Sequence, residues 1–167
     1  MNCVENMLIS VPHRNETFRT MFSKYPREVT EKAESLLEFV GLYEKRLLIS
    51  GDLSFGQQNL VEFAMALMNE PEVLLLDEPT TGLDLTATFQ YLETMRQLMI
   101  DGRTLVLVTH HIHEIPPEIL RVVLLKDGEI FADGNKETVL TSQNLSVLYG
   151  QPIHLVQKES WYQAMPG

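Results

Sequence analysis

Two short, largely apolar runs constrain this chain more than anything else in it. V-L-L-L at 73–76 is followed by D-E-P, and T-L-V-L-V-T at 104–109 is followed by H-H. Runs of this length read as strands buried on both faces. Between them Leu85, Phe89, Leu92, Met95 and Met99 recur at helical spacing, and Gly102 stands as a stop. Strand, helix and strand in that order favour a parallel pair, because parallel strands need a long crossover. Ligands bind such sheets at the carboxyl ends of the strands. Those are the ends that carry Asp77, Glu78, Thr109 and His110.

The preceding third of the chain reads as helical. Residues 1–10 suit a short helix, 11–26 are polar and irregular, and a helical pattern begins at Pro26. Val29, Ala33, Leu36, Leu37 and Val40 form its apolar stripe and Gly41 its stop. A further helix is expected from Ser54, which forms a capping box with Gln57. Its apolar face is Leu60, Val61, Ala64, Leu67 and Met68, and Pro71 closes it. Beyond His110 the pattern predicts a short helix broken near Pro116-Pro117, then a hairpin of 122–125 and 129–132 turning at Asp127-Gly128. The remainder reads as a small helix and an extended tail. The expected division is 1–70, helical; 71–150, strand and helix; 151–167, tail.

Composition closes off several classes. Hydrophobic residues make up 44% of the 167 and charged residues 22%, the balance of a chain with a real core. Thirteen basic against 23 acidic residues give a formal charge of −10, which offers no broad basic surface to nucleic acid. Cys3 is the only cysteine, so no disulfide framework is expected. No apolar run approaches the length of a membrane span, and the first ten residues lack the form of a secretory signal. A cytoplasmic chain that meets a membrane through a partner is the expectation.

The polar residues at the strand ends carry the chemistry. Two adjacent carboxylates leaving an apolar layer need a cation or proton, and Mg²⁺ takes one or two carboxylates together with phosphate oxygens. Asp77 and Glu78 point to opposite faces of a strand, so one can hold a metal while the other polarises water. A strand end turning acidic before Pro79 accounts for the same residues. L-S-F-G-Q at 53–57 suits a helix N-terminus whose N–H groups approach an anion, and equally an ordinary capped helix. His110 could donate to a phosphate. The string H-H-I-H at 110–113 has no cysteine or second ligand group beside it, so zinc is disfavoured.

Order and spacing go further than any one of these. L-S-F-G-Q-Q (53–58), V-L-L-L-D-E-P (73–79), T-G-L-D (81–84) and L-V-L-V-T-H (105–110) resemble the signature motif, Walker B strand, D-loop and switch histidine of an ATP-binding cassette (ABC) ATPase. The resemblance covers roughly residues 3–133. It implies an α/β, ABC-type P-loop NTPase fold in part: a helical subdomain followed by the C-terminal part of a mostly parallel sheet with flanking helices. It further implies that Asp77 helps hold Mg²⁺, that Glu78 is the general base for water, and that His110 contacts the γ-phosphate. Ser54, Phe55, Gly56 and Gln57 would face an ATP held by the opposite subunit, with Asp84 linking the two sites. The implied partners are a second ABC ATPase subunit, head to tail, and a transmembrane permease. The implied function is ATP hydrolysis coupled to solute transport.

The sequence also departs from the family pattern. No G-x-x-x-x-G-K-[ST] loop occurs in the 167 residues, Phe55 stands where a glycine is usual, and Asn59 and Met65 stand where basic residues are common. Phosphate binding in P-loop NTPases depends on that loop's backbone donors and lysine. The chain alone is therefore expected to bind Mg-ATP negligibly and not to hydrolyse it, and to be poorly soluble through its uncovered strands. A non-catalytic partner that lends its signature motif to a complete subunit is the alternative reading.

Overall fold

The structure, a computed structural model, describes residues 1–11 and 25–167. Most of the stretch expected to be polar and irregular, 12–24, lies outside the described residues. The contacts divide the chain into two compact units, Met1–Val106 and Leu107–Gly167.

The first unit is built on helices. Helix α1 (Cys3–Ile9) starts with a reciprocal cap: the Asn2 side chain accepts the Glu5 N–H at 2.8 Å, and the Glu5 carboxylate accepts the Asn2 N–H at 2.8 Å. Helix α2 (Arg27–Phe39) stops where expected, with Gly41 at φ +72°. That left-handed backbone favours glycine. Helix α3 (Phe55–Leu67) buries Leu60, Val61, Ala64 and Leu67, with Met68 just beyond, all of the face the sequence indicated. These helices and α4 (Leu85–Ile100) enclose a core in which Met7, Leu37, Val40, Leu60 and Met95 are fully buried. Phe63 of α3 stacks on Tyr91 of α4 with ring centroids 4.8 Å apart. Burial there pushes the Tyr91 phenol well above its ordinary pKa. Gln90 of α4 donates to the Val40 carbonyl at 2.8 Å, tying α4 to the end of α2.

Strand β1 (Val73–Asp77) pairs with β2 (Thr104–Val108). The Thr104 N–H donates to the Glu72 carbonyl at 3.1 Å, so the two strands start side by side, as a crossover through α4 requires. Burial on both faces, expected of these strands, is not observed. Leu74 is buried, whereas Val73 is 57%, Leu75 69% and Val106 45% exposed. An unbroken apolar run reports that both faces are apolar; one face of this two-stranded sheet is left without cover. The α4 stripe is corrected in the same way. Leu92 and Met95 are buried, but Leu85 and Phe89 face solvent, and Thr88, Tyr91, Thr94 and Leu98 complete the packed face.

The second unit holds two antiparallel hairpins around a small core. Strands β3 (Arg121–Lys126) and β4 (Glu129–Asn135) turn at Asp127-Gly128, both with positive φ, as the D-G pair predicts. Helices α5 (Lys136–Val139) and α6 (Ser142–Tyr149) follow. The expected extended tail is instead a second hairpin, β5 (Ile153–Lys158) and β6 (Trp161–Pro166). Its turn is Glu159-Ser160, both left-handed. Neither residue is the Asn or Gly that marks such a turn in sequence. Ile115, Leu124, Val139, Leu140, Leu145 and Tyr162 form the core of this unit.

Candidate nucleotide site

Ser54 is the N-cap of α3. Its hydroxyl accepts the Gln57 N–H at 3.3 Å, while the Gln57 side chain accepts the Ser54 N–H at 3.2 Å. No acidic residue occupies the first turn of α3, so the positive end of its dipole is left to attract an anion. Asp84 caps α4, its carboxylate accepting the Ala87 N–H at 2.8 Å.

These two helix starts are packed on each other through glycines. A Cβ built on Gly56 would lie 2.6 Å from the Ala87 Cβ and 3.5 Å from Leu83 Cδ2. A Cβ on Gly82, which sits at φ +77°, would meet the Phe55 ring at 3.1 Å. The Phe55 ring, 58% exposed, thus lies over the T-G-L-D turn. The structure accordingly brings Ser54, Phe55, Gly56 and Gln57 together with Asp84 in the first unit. Spacing along the chain indicated both segments; that Phe55 and Gly56 pack against the 82–87 turn had no signal in the sequence.

Asp77 ends β1 with an exposed side chain. Glu78 follows in the left-handed region at φ +44°, a conformation that costs a non-glycine residue about 1–3 kcal/mol. The turn closes beneath it: the Thr81 N–H donates to the Glu78 carbonyl at 3.1 Å, and the Thr81 hydroxyl donates to a Glu78 carboxylate oxygen at 3.4 Å. One exposed carboxylate at a strand end fits Mg²⁺ that shares its coordination with phosphate and water. Among the described residues no group of three or more His, Cys, Asp or Glu is arranged to hold a metal ion.

His110 belongs to the second unit. Its ring lies 3.9 Å from that of His111, tilted by 40°, and His111 lies 5.4 Å from His113. The three histidines border a pocket of about 260 Å³ together with Tyr149, Gln151 and Gln163. The Tyr149 hydroxyl donates to the His110 carbonyl at 3.5 Å. Sequence reasoning missed Glu114, which is 1% exposed and accepts the Thr109 hydroxyl at 2.7 Å. It missed also Lys136, 5% exposed, which donates to the carbonyls of Pro116 and Pro117 at 3.0 and 2.8 Å. Isolated charged residues in short turns give no periodic signal by which burial can be foreseen.

Comparison with known proteins converges on one family. The model of the ABC transporter family matches residues 3–81. An uncharacterized ABC transporter ATP-binding protein of Bacillus subtilis, YlmA, is 39% identical over 142 residues, 84% of this chain and 52% of that protein. A phosphonates import ATP-binding protein of Halalkalibacterium halodurans is 32% identical over 151 residues, 90% of this chain and 58% of that protein. Among solved structures, the ATP-binding cassette MJ1267 of an ABC transporter superposes with a TM-score of 0.71 at 28% identity, covering 89% of this chain and 59% of that one. The chain spans about half the length of the curated relatives it matches.

Proposed function

The chain belongs to the ABC transporter family, and from that premise we propose that it forms the C-terminal portion of an ATP-binding subunit that couples ATP binding and hydrolysis to solute transport. The observation that carries the proposal is the packing of the α3 N-terminus on the 82–87 turn through Gly56 and Gly82. It sets a dipole end, a hydroxyl cap and Asp84 on one surface, in the form needed to meet an ATP held by an opposing subunit. Within the described residues no helix is long and apolar enough to cross a membrane. In this reading, membrane attachment comes from a permease, on the cytoplasmic side.

Each residue then has a distinct task. The exposed Asp77 carboxylate would help hold a Mg²⁺ ion brought in with the nucleotide. Glu78, held by the Thr81 turn, accepts a proton from the attacking water. His110 donates to the terminal phosphate from the end of β2. Ser54, Gly56 and Gln57 present backbone and side-chain donors to the same phosphate from across the dimer. When bound, Mg²⁺ would neutralise charge on the phosphate oxygens. The phosphate loop is supplied from outside these 167 residues, by another part of the subunit or by a partner. Without it the chain neither binds nor hydrolyses ATP.

Mixing the chain with a complete ABC ATP-binding protein tests the signature surface. A rise in ATPase rate that Ser54→Arg abolishes supports it. A rise that survives Ser54→Arg contradicts it.

A further inference from the structure

We propose that Thr109 and Glu114 are positioning residues for His110, a buried hydroxyl–carboxylate clamp that fixes the turn in which the histidine stands. The proposal rests on the reading of His110 as the phosphate contact, and every link in it lies within the second unit. Strand β2 ends at Val108, and the chain must reverse within a few residues to enter the helical turn Ile112–Glu114. His111, the residue before that turn, makes no side-chain cap. The Thr109 hydroxyl does the work from two residues back, accepting the His111 N–H at 2.9 Å. It donates its single hydrogen to Glu114 Oε2 at 2.7 Å.

Glu114 is 1% exposed. A carboxylate removed from water costs several kcal/mol unless it is partnered, and an apolar side chain could fill the place without that cost. What the carboxylate adds is direction. By taking the hydroxyl hydrogen it locks the Thr109 rotor, so the oxygen lone pairs face the His111 N–H. The His111 ring in turn lies against the His110 ring at 3.9 Å. A buried carboxylate, a hydroxyl, a backbone N–H and the adjoining tilted imidazole of His111 thus form one continuous path to His110. Lys136 secures the other end of the segment through the Pro116 and Pro117 carbonyls.

NMR of the 167-residue chain tests the clamp, with hydrogen exchange of the His111 amide and the C2 hydrogen of the His110 imidazole as probes. Thr109→Val and Glu114→Ala are expected to speed His111 amide exchange about tenfold, the loss of one well-made hydrogen bond. Thr109→Ser and Glu114→Gln keep a donor or an acceptor in place and are expected to stay within about threefold of wild type. The chemical shift of the His110 C2 hydrogen, set in part by the His111 ring 3.9 Å away, should move in Thr109→Val and return in Thr109→Ser. The Leu145 amide in α6, which donates to the Thr141 carbonyl at 3.0 Å in the core of the second unit, reports whether a variant has kept its fold. Should Glu114→Ala fail that check, the Thr109→Val and Thr109→Ser pair decides alone. Wild-type protection of His111 in Thr109→Val overturns the proposal. So does equal loss in Thr109→Ser, which would make the site one of packing volume. No step of this experiment reads ATP turnover. A failure of the phosphate role of His110 would show separately, as hydrolysis that survives His110→Ala in a complete ATP-binding protein.

Discussion

Gly56→Ala tests whether the α3 and α4 N-termini are as closely packed as the geometry requires. The added methyl would fall 2.6 Å from the Ala87 Cβ, roughly 1 Å inside the contact distance of two carbons. Neither partner is the tip of a flexible side chain, so relief must come from moving a helix start. Overpacking of this kind costs about 1–3 kcal/mol. The higher helix propensity of alanine returns at most about 1 kcal/mol. With the full return the net loss is up to about 2 kcal/mol, a fall in Tm of up to roughly 8 °C for a chain of this size. Ala87→Gly removes the obstructing carbon and should restore most of that fall in the double variant, a coupling visible in a double-mutant cycle. Thermal melts of the four proteins, followed by far-UV circular dichroism, give the answer. Two effects that simply add in the cycle would refute the packing and with it the joining of Ser54 and Asp84 on one surface.

Other consequences follow from single contacts. Lys136→Met leaves the Pro116 and Pro117 carbonyls without their donor, a loss of about 1–3 kcal/mol at neutral pH in urea melts. Burial holds the folded Lys136 pKa below its ordinary 10.5; across that window the unfolded chain binds more protons, so wild type should gain stability over Lys136→Met as pH rises towards 10.5. Asp133 accepts two hydrogen bonds from Arg121, at 2.8 and 2.7 Å, and the first effect of that pairing is to hold its carboxyl below the ordinary 3.8. Its contribution is present above that ordinary value and lost as pH falls through the depressed one. The wild-type advantage over Asp133→Asn should be small, since both groups face solvent, and should shrink with acid and with salt.

How much of this could be read from the chain differs from element to element. Helix α3 was fully specified, because its capping box and its apolar stripe agree on one register. The β3–β4 turn was specified by Asp127-Gly128, whose chemistry matches its backbone. The β5–β6 hairpin was not, since Glu159-Ser160 adopts left-handed geometry without the residues that favour it. Strand burial was misjudged because apolarity of a face does not say what covers it, and Val73, Leu75 and Val106 remain exposed. At the candidate site, motif spacing indicated Asp77, Glu78 and His110. The supports of that site, Thr81 beneath Glu78 and Glu114 behind Thr109, are pairwise contacts with no periodic trace.

In the proposed reading the chain holds catalytic residues of an ABC ATPase and needs a phosphate loop from outside itself. Joining ahead of Met1 a segment of a complete ABC ATP-binding protein that carries a G-x-x-x-x-G-K-[ST] loop, and titrating Mg-ATP into that fusion and into the chain alone, tests this directly. The expected result is no binding to the chain, binding and hydrolysis by the fusion, and in the fusion carrying Glu78→Gln binding with hydrolysis lost. Micromolar binding to the chain alone, or undiminished hydrolysis in the Glu78→Gln fusion, would contradict it.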